Sequence, residues 1–327
     1  MAGLGEFALI RQYFAAAACA APTSGVARGI GDDCALLQLP PGEQLAVSTD
    51  SQVAGVHFPL QHDPFLLAQR VLAAAASDLA AMGAAPLGFT LALTLPAADP
   101  AWLDGFARGL DVMARACDLV LIGGDTTRGP LNINVTVFGR LPAGRALLRS
   151  GARPGDLLCI GGPTGEAAAA LPLVLGERAA HGAADRQLLA RYWTPAPQLA
   201  LGQALRGLAS AALDVSDGLL ADCGHIAEES GVALVIDAAR VPLTAALREA
   251  AGERALHLAL SGGDDYVLAF TLPAAAQPAL EASGGLPFHL IGRVEAGSGV
   301  RVLDADGCDI TPAAGGYQHF GGADGQA

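Results

Sequence analysis

"LVLIGGDTTRG", residues 119–129, sets an apolar run of strand character against a segment of glycines, one carboxylate, two threonines and an arginine. Such a strand delivers its chain to a loop. The loop has two readings: an ordinary turn, since Gly and Asp are common turn formers, or a place where a metal ion and a phosphate meet backbone N–H groups. One segment does not separate them, so the neighbouring sequence has to.

Outward from this stretch, helical and strand patterns alternate along the whole chain. Apolar spacing predicts helices near 4–18, 63–82, 100–117, 165–180, 197–209, 217–230 and 243–252. Strand patterns fall at "LAVST", "GFTLALTL", "LVLIGG", "INVTVFGR", "LLCIGG", "VALVID", "YVLAFTL" and "VRVL". This is a mixed α/β chain. The Gly-, Pro- and Arg-rich stretch 139–156 interrupts the periodicity, and a boundary there divides the chain into domains 1–145 and 146–327. Residues 79–98 carry no charge, but Gly83, Pro86, Gly88 and Pro96 break them into a helix end, a turn and a strand rather than a membrane span.

Composition narrows the function classes. A net charge of −13 argues against general nucleic-acid binding, which needs a basic footprint. All 19 basic residues are arginine, which excludes a Walker A lysine, a protein-kinase lysine and a Schiff-base lysine. Cys19, Cys34, Cys117, Cys159, Cys223 and Cys308 are scattered without zinc-ligand spacing, the pattern of reduced thiols in a cytoplasmic protein. The apolar "YFAAAACAA" follows Glu6 and Arg11 with no cluster of positive charge, so no cleaved signal is expected.

Carboxylates recur beside Gly, Ser or Thr in "GIGDDCALL" (29–37), "VSTDS" (47–51), "SDLAAMG" (77–83), "GGDTTRG" (123–129), "DVSDGL" (214–219) and "SGGDDY" (261–266). Each alone reads as a turn or a helix cap; Ser216 or Asp217, for instance, can cap the helix that follows. Gathered in one cleft they are costly, because two unit charges about 4 Å apart repel by roughly 4 kcal/mol at an effective dielectric near 20. Cations would have to share the site. Oxygen donors without His or Cys point to magnesium rather than zinc or copper, and magnesium usually accompanies a phosphorylated substrate.

In order and spacing these segments, with "STDSQVAGVHF", "ALLRSGARPGD" and "GYQHF", resemble the thiamine-monophosphate kinase family from about Gly5 to Phe320. The resemblance implies the two-domain α/β fold of the aminoimidazole-ribonucleotide synthetase superfamily, with mixed sheets and a homodimer built through the amino-terminal sheets. It implies transfer of a phosphoryl group from ATP to thiamine phosphate, with several magnesium ions and no nucleic-acid or membrane partner. By the same resemblance Asp33, Ser48, Thr49, Asp50, Asp78, Asp125, Asp214 and Asp217 are metal ligands. Gly124, Asp125, Arg149 and Ser216 meet the nucleotide, while His57, Asp264 and Tyr317 meet thiamine phosphate. The family usually has Glu where this chain has Asp264, one methylene shorter.

The chemistry needs no covalent nucleophile or general base. A phosphate monoester has its second pKa near 6, so the attacking oxygen is already ionised at neutral pH, and the protein's task is to align and neutralise two polyanions. Other superfamily synthetases, a two-metal phosphohydrolase and a non-catalytic nucleotide-binding subunit are the rival readings. Selenophosphate synthetase wants a lysine near its amino terminus, which this chain lacks.

Overall fold

In the computed structural model the described residues are 6–21 and 23–312, so Tyr317 lies outside them. The chain divides into two units: one holds the residues up to Leu79 together with Ala84–Ala146, and the other holds Ala80–Gly83 and the residues from Leu147 onward.

In the first unit α1 (Glu6–Leu9) continues into a π-helical turn, and the short antiparallel pair β1 (Val26–Arg28) and β2 (Leu36–Leu37) precedes the long strand β3 (Glu43–Val53). Then come α2 (Pro64–Ala81), β4 (Ala85–Leu95), α3 (Pro100–Ala116), β5 (Val120–Arg128) and β6 (Asn132–Pro142). The sheet order is β3-β6-β4-β5, with β4 and β5 parallel and the other pairs antiparallel. A parallel pair needs a crossover, which α3 supplies. Asp99 starts α3 by accepting from the Ala101 N–H, and Pro100 occupies its first turn, where a missing N–H costs nothing. On α3, a Cβ at Gly109 would lie 2.2 Å from the Phe65 carbonyl oxygen, so α2 and α3 meet backbone to backbone.

Strand alternation gives this sheet two different faces. Phe89, Leu91, Leu93, Ile133, Val135 and Val137 are buried on one, where Leu79 of α2 lies against Gly139. The other presents Thr49, Thr136 and Thr90 in register, then Ser51, Asn134 and Ala92. There Leu45 and Val47 are 43% and 55% exposed, and β1 and β2 pack at the end marked by Val120 and Phe138.

The loop expected at "GGDTTRG" is strand: β5 runs on through Arg128, pairing Leu91 with Gly124 and Ala92 with Asp125. The physical reason lies at Gly124, where a Cβ would fall 1.9 Å from the Leu91 carbonyl oxygen. Only glycine lets the two backbones pass that closely.

The second unit runs β7 (Leu157–Ile160), α4 (Glu166–Val174), α5 (Gly182–Trp193), α6 (Leu199–Leu205), β8 (Ala211–Val215), α7 (Leu219–Ser230), β9 (Ala233–Asp237) and α8 (Ala245–Ala251). It continues through α9 (Ala255–Ser261), β10 (Val267–Leu272), α10 (Gln277–Glu281), β11 (His289–Glu295) and β12 (Gly299–Leu303). The strand order is β12-β9-β11-β7-β10-β8, antiparallel except for β12 with β9. Both faces are covered: Leu158, Ile160, Leu213, Val215 and Ala269 join one apolar cluster, while Cys159, Ala212, Leu268 and Phe270 join another. Strands buried on both faces lose the polar alternation that marks a half-exposed strand.

Differences from the sequence expectations have local causes. The single helix expected over 165–180 stops at Val174, with Gly176 in the left-handed region at φ 74°, and α5 follows separately. Residues 79–98 form a helix end, a turn through Gly83 at φ 66° and strand β4, as expected. Among the described residues no helix is long and apolar enough to cross a membrane.

Candidate active site

Within the first unit, β3 and α2 bring three of the expected ligands together. The Ser48 hydroxyl donates to Asp78 Oδ2 at 2.5 Å, and Asp50, two residues along the same strand face, feels the Asp78 charge. Burial, and then Asp78, push the Asp50 carboxyl up to about 6. Two carboxylates that feel each other's charge, one of them bonded to the Ser48 hydroxyl, form a hard oxygen donor set. Among the described residues no three His, Cys, Asp or Glu side chains converge as a metal-binding group.

The other expected ligands of this unit lie elsewhere. Thr49 points to the opposite sheet face from Ser48 and Asp50, with its hydroxyl 2.8 Å from that of Thr136. Asp125 is exposed on that same opposite face, in register with Ala92. Asp33 is exposed in the connection between β1 and β2, where its N–H donates to Asp32. His57 sits in the loop after β3; its Nδ1 accepts from the Val53 N–H at 3.0 Å, which leaves Nε2 to carry the proton.

The second unit gathers its expected residues at neighbouring strand ends. Asp214 is buried on β8 opposite Leu268 of β10, and the chain then turns through Ser216 and Asp217 into α7. Neither of those residues caps the helix. The N-cap is Gly218, whose side chain cannot bond, and Asp222 in the first turn accepts from the N–H groups of Ser216, Asp217 and Gly218. The expected cap is thus replaced by a carboxylate reaching back from inside the helix. Burial comes first among the causes that push the Asp222 carboxyl up to about 6.

The segment from Gly262 to Tyr266 locks onto this turn. Asp264 N–H donates to the Ser216 carbonyl and Tyr266 N–H to the Val215 carbonyl, both at 2.8 Å. Asp264 and Tyr266 both have positive φ, 69° and 52°, an uncommon conformation for residues with side chains. Between them Asp265 anchors the strained segment by accepting from the Gly165 and Ala167 N–H groups at the start of α4. The Tyr266 hydroxyl donates to Asp264 Oδ1 at 3.0 Å, so the shorter acid is held by a phenol. Arg149 is exposed, and its carbonyl accepts from the Ser230 hydroxyl.

Sequence reading passed over Asp222 and Asp265. The signal for Asp222 was present: an acid four residues after Gly218 of a polar turn reaches the free N–H groups ahead of a helix. Asp265 carried no comparable signal, since its partners are 98 and 100 residues away in the chain.

Family models for AIR synthase related proteins match both units, the N-terminal domain over residues 31–141 and the C-terminal domain over 153–305. Thiamine-monophosphate kinase of Escherichia coli (strain K12) is 46% identical over 321 residues, covering 97% of this chain and 98% of that protein. The chain belongs to the thiamine-monophosphate kinase family. Among solved structures, that of thiamine-monophosphate kinase from Stenotrophomonas maltophilia K279a is similar at TM-score 0.80 and 46% identity, covering 87% of this chain and 92% of that one. A second, "AaThiL complexed with AMPPCP and TMP", is similar at TM-score 0.78 and 30% identity, covering 86% of this chain and 89% of that one. As a thiamine-monophosphate kinase family member the chain has the mixed α/β fold that its sequence pattern predicted, in the two AIR-synthase-related domains that the resemblance implied.

Proposed function

We propose that this protein transfers the γ-phosphoryl group of ATP to thiamine phosphate, giving ADP and thiamine diphosphate. The observation that carries this reading is 46% identity over 97% of the chain to the E. coli kinase, supported by a family neighbour solved with AMPPCP and TMP. In the first unit Ser48, Asp50 and Asp78 would hold magnesium, with Asp33 and Asp125 as further carboxylates and Thr49 contributing through its backbone. In the second unit Asp214 and Asp217 are the corresponding acids. Magnesium bound at these acids supplies positive charge against the polyphosphate.

The remaining roles belong to the chain itself. Gly124, Arg149 and Ser216 are assigned to the nucleotide; a guanidinium on an exposed loop can fork onto phosphate oxygens. His57 and Asp264 are assigned to thiamine phosphate, where a carboxylate complements the thiazolium charge, and Tyr317 joins them by resemblance. The attacking phosphate oxygen is already ionised, so no side chain has to remove a proton, and direct in-line transfer without a phospho-enzyme follows. We also assign the open face of the first unit's sheet, with its exposed Leu45 and Val47, to pairing with a second copy of the chain.

The test is ADP release by purified protein with ATP and magnesium, with and without thiamine phosphate, alongside chromatography of the products. Equal yields of ADP and thiamine diphosphate are expected. ATP turnover indifferent to thiamine phosphate would reject the acceptor.

A further inference from the structure

The turn between β8 and α7 looks at first like an anion cradle: a short Ser-Asp-Gly segment leading into a helix, with consecutive N–H groups free to point at phosphate. Its geometry says otherwise. Asp222 Oδ2 receives the N–H groups of Ser216 and Asp217 at 3.0 Å and that of Gly218 at 3.1 Å. All three donors are turned inward onto one carboxylate oxygen. Whatever the turn offers a ligand comes from the Ser216 hydroxyl and the Asp217 carboxylate, not from its amides.

The same turn is fixed from its other side. The Ser216 carbonyl accepts from the Asp264 N–H, a Cβ at Gly263 would lie 2.5 Å from that carbonyl oxygen, and a Cβ at Gly218 would lie 2.8 Å from the Ser261 carbonyl oxygen. Gly218 itself has φ 121°, open to glycine alone. The backbone of the turn is thus held between a buried acid on α7 and the backbone of residues 261–264.

We propose that Asp222 is a positioning residue for the phosphoryl-transfer site: by taking the three amides of residues 216–218 it aims Ser216 and Asp217 at the magnesium nucleotide. The proposal rests on the assignment of those two side chains to nucleotide and metal. Asp222 is buried with its Oδ2 on the three amides, so its effect passes through the turn. Loss of the carboxylate releases three N–H groups, and the turn can then refold around phosphate or water with Ser216 and Asp217 misplaced.

The experiment compares wild type, Asp222→Ala and Asp222→Asn by amide hydrogen exchange at residues 216–218 and by calorimetric titration with magnesium AMPPCP, followed by kinetics. For Asp222→Ala the three amides should lose protection, and nucleotide affinity and kcat should fall by about 10- to 100-fold, as when a group that orients metal ligands is removed. KM for thiamine phosphate should stay near the wild-type value. Asp222→Asn keeps one acceptor oxygen without the charge, so it should fall between the two in both exchange and affinity, and it carries the test if the alanine variant does not fold. Asn behaving as wild type in both readouts overturns the proposal, as does an alanine variant whose affinities for nucleotide and thiamine phosphate drop equally while residues 216–218 stay protected. A wild type that binds magnesium AMPPCP but makes no thiamine diphosphate rejects the acceptor reading instead, and leaves the role of Asp222 to the exchange and nucleotide data.

Discussion

Asp265 shows how one carboxylate can set a pH dependence. Burial pushes its carboxyl up to about 7; the Gly165 and Ala167 N–H groups and Arg191 pull the other way, and Asp264 adds to the rise. The unfolded chain releases this proton near 3.9, so between about pH 4 and 7 the folded state binds it more tightly. Stability from this group therefore falls as pH rises through that window and stays reduced above it. Asp265→Asn should match wild type near pH 4 and gain on it by pH 8, by on the order of 1 to 2 kcal/mol once partial exposure is discounted. Urea midpoints of the two proteins across pH check this; a difference that does not change with pH would contradict it. Gly124 gives a second single-residue test. A methyl there meets the Leu91 backbone at 1.9 Å, so Gly124→Ala should cost roughly 3 kcal/mol of stability, read as a lowered unfolding midpoint. A variant with an unchanged midpoint and only weaker ATP binding would mean that the glycine serves the nucleotide alone.

At the scale of the element, strand parity decides what neighbouring residues can do. Ser48, Thr49 and Asp50 are consecutive on β3, yet the first and third share a face with Asp78 while the second bonds Thr136 on the other. Asp50→Asn should therefore lower turnover on the order of 100-fold, as for loss of a charge aimed at the transition state, and raise the magnesium requirement. Thr49→Val should leave both nearly intact, since only its backbone remains available to an ion. Magnesium titrations of the two variants decide; equal losses would break the parity argument. Alternation made the start of this strand legible as "LAVST", because a period of two needs no structure to be counted, whereas "VSTDS" reads as a turn or cap until its register with β6 places it in β3. The half-exposed strands β3, β4 and β6 were legible for the same reason. β8 and β11 were not: "AALDV" has a single β-branched residue and no aromatic, unlike "YVLAFTL" of the equally buried β10, and "HLIGRVE" carries Gly292, whose place in the strand depends on a close approach to the Val235 carbonyl. The continuation of β5 through "GGDTTR" was hidden likewise, because the partner that demands Gly124 is on another strand.

For the whole molecule the open sheet face and the net charge pull in opposite directions. Leu45 and Val47, 43% and 55% exposed, line the outer edge of a four-stranded sheet whose other face is filled. A face of that kind gains by burial at about 25 cal/mol per Å² of apolar surface. Against this, each chain carries −13, and two copies repel. The repulsion acts over a distance that salt shortens to about 8 Å at physiological ionic strength, whereas the apolar contact is indifferent to modest salt. Self-association should therefore tighten as sodium chloride rises from about 10 mM to 150 mM. In an interface related by a two-fold axis every substitution enters twice. If a second copy joins on this face as proposed, Val47→Asp places two carboxylates on the shared apolar surface without touching the filled face, so the protein should sediment as a monomer while its far-ultraviolet circular dichroism stays that of wild type. Wild type sedimenting as a monomer at micromolar concentration and 150 mM salt would remove the second copy from the account, and so would a Val47→Asp protein that remains dimeric.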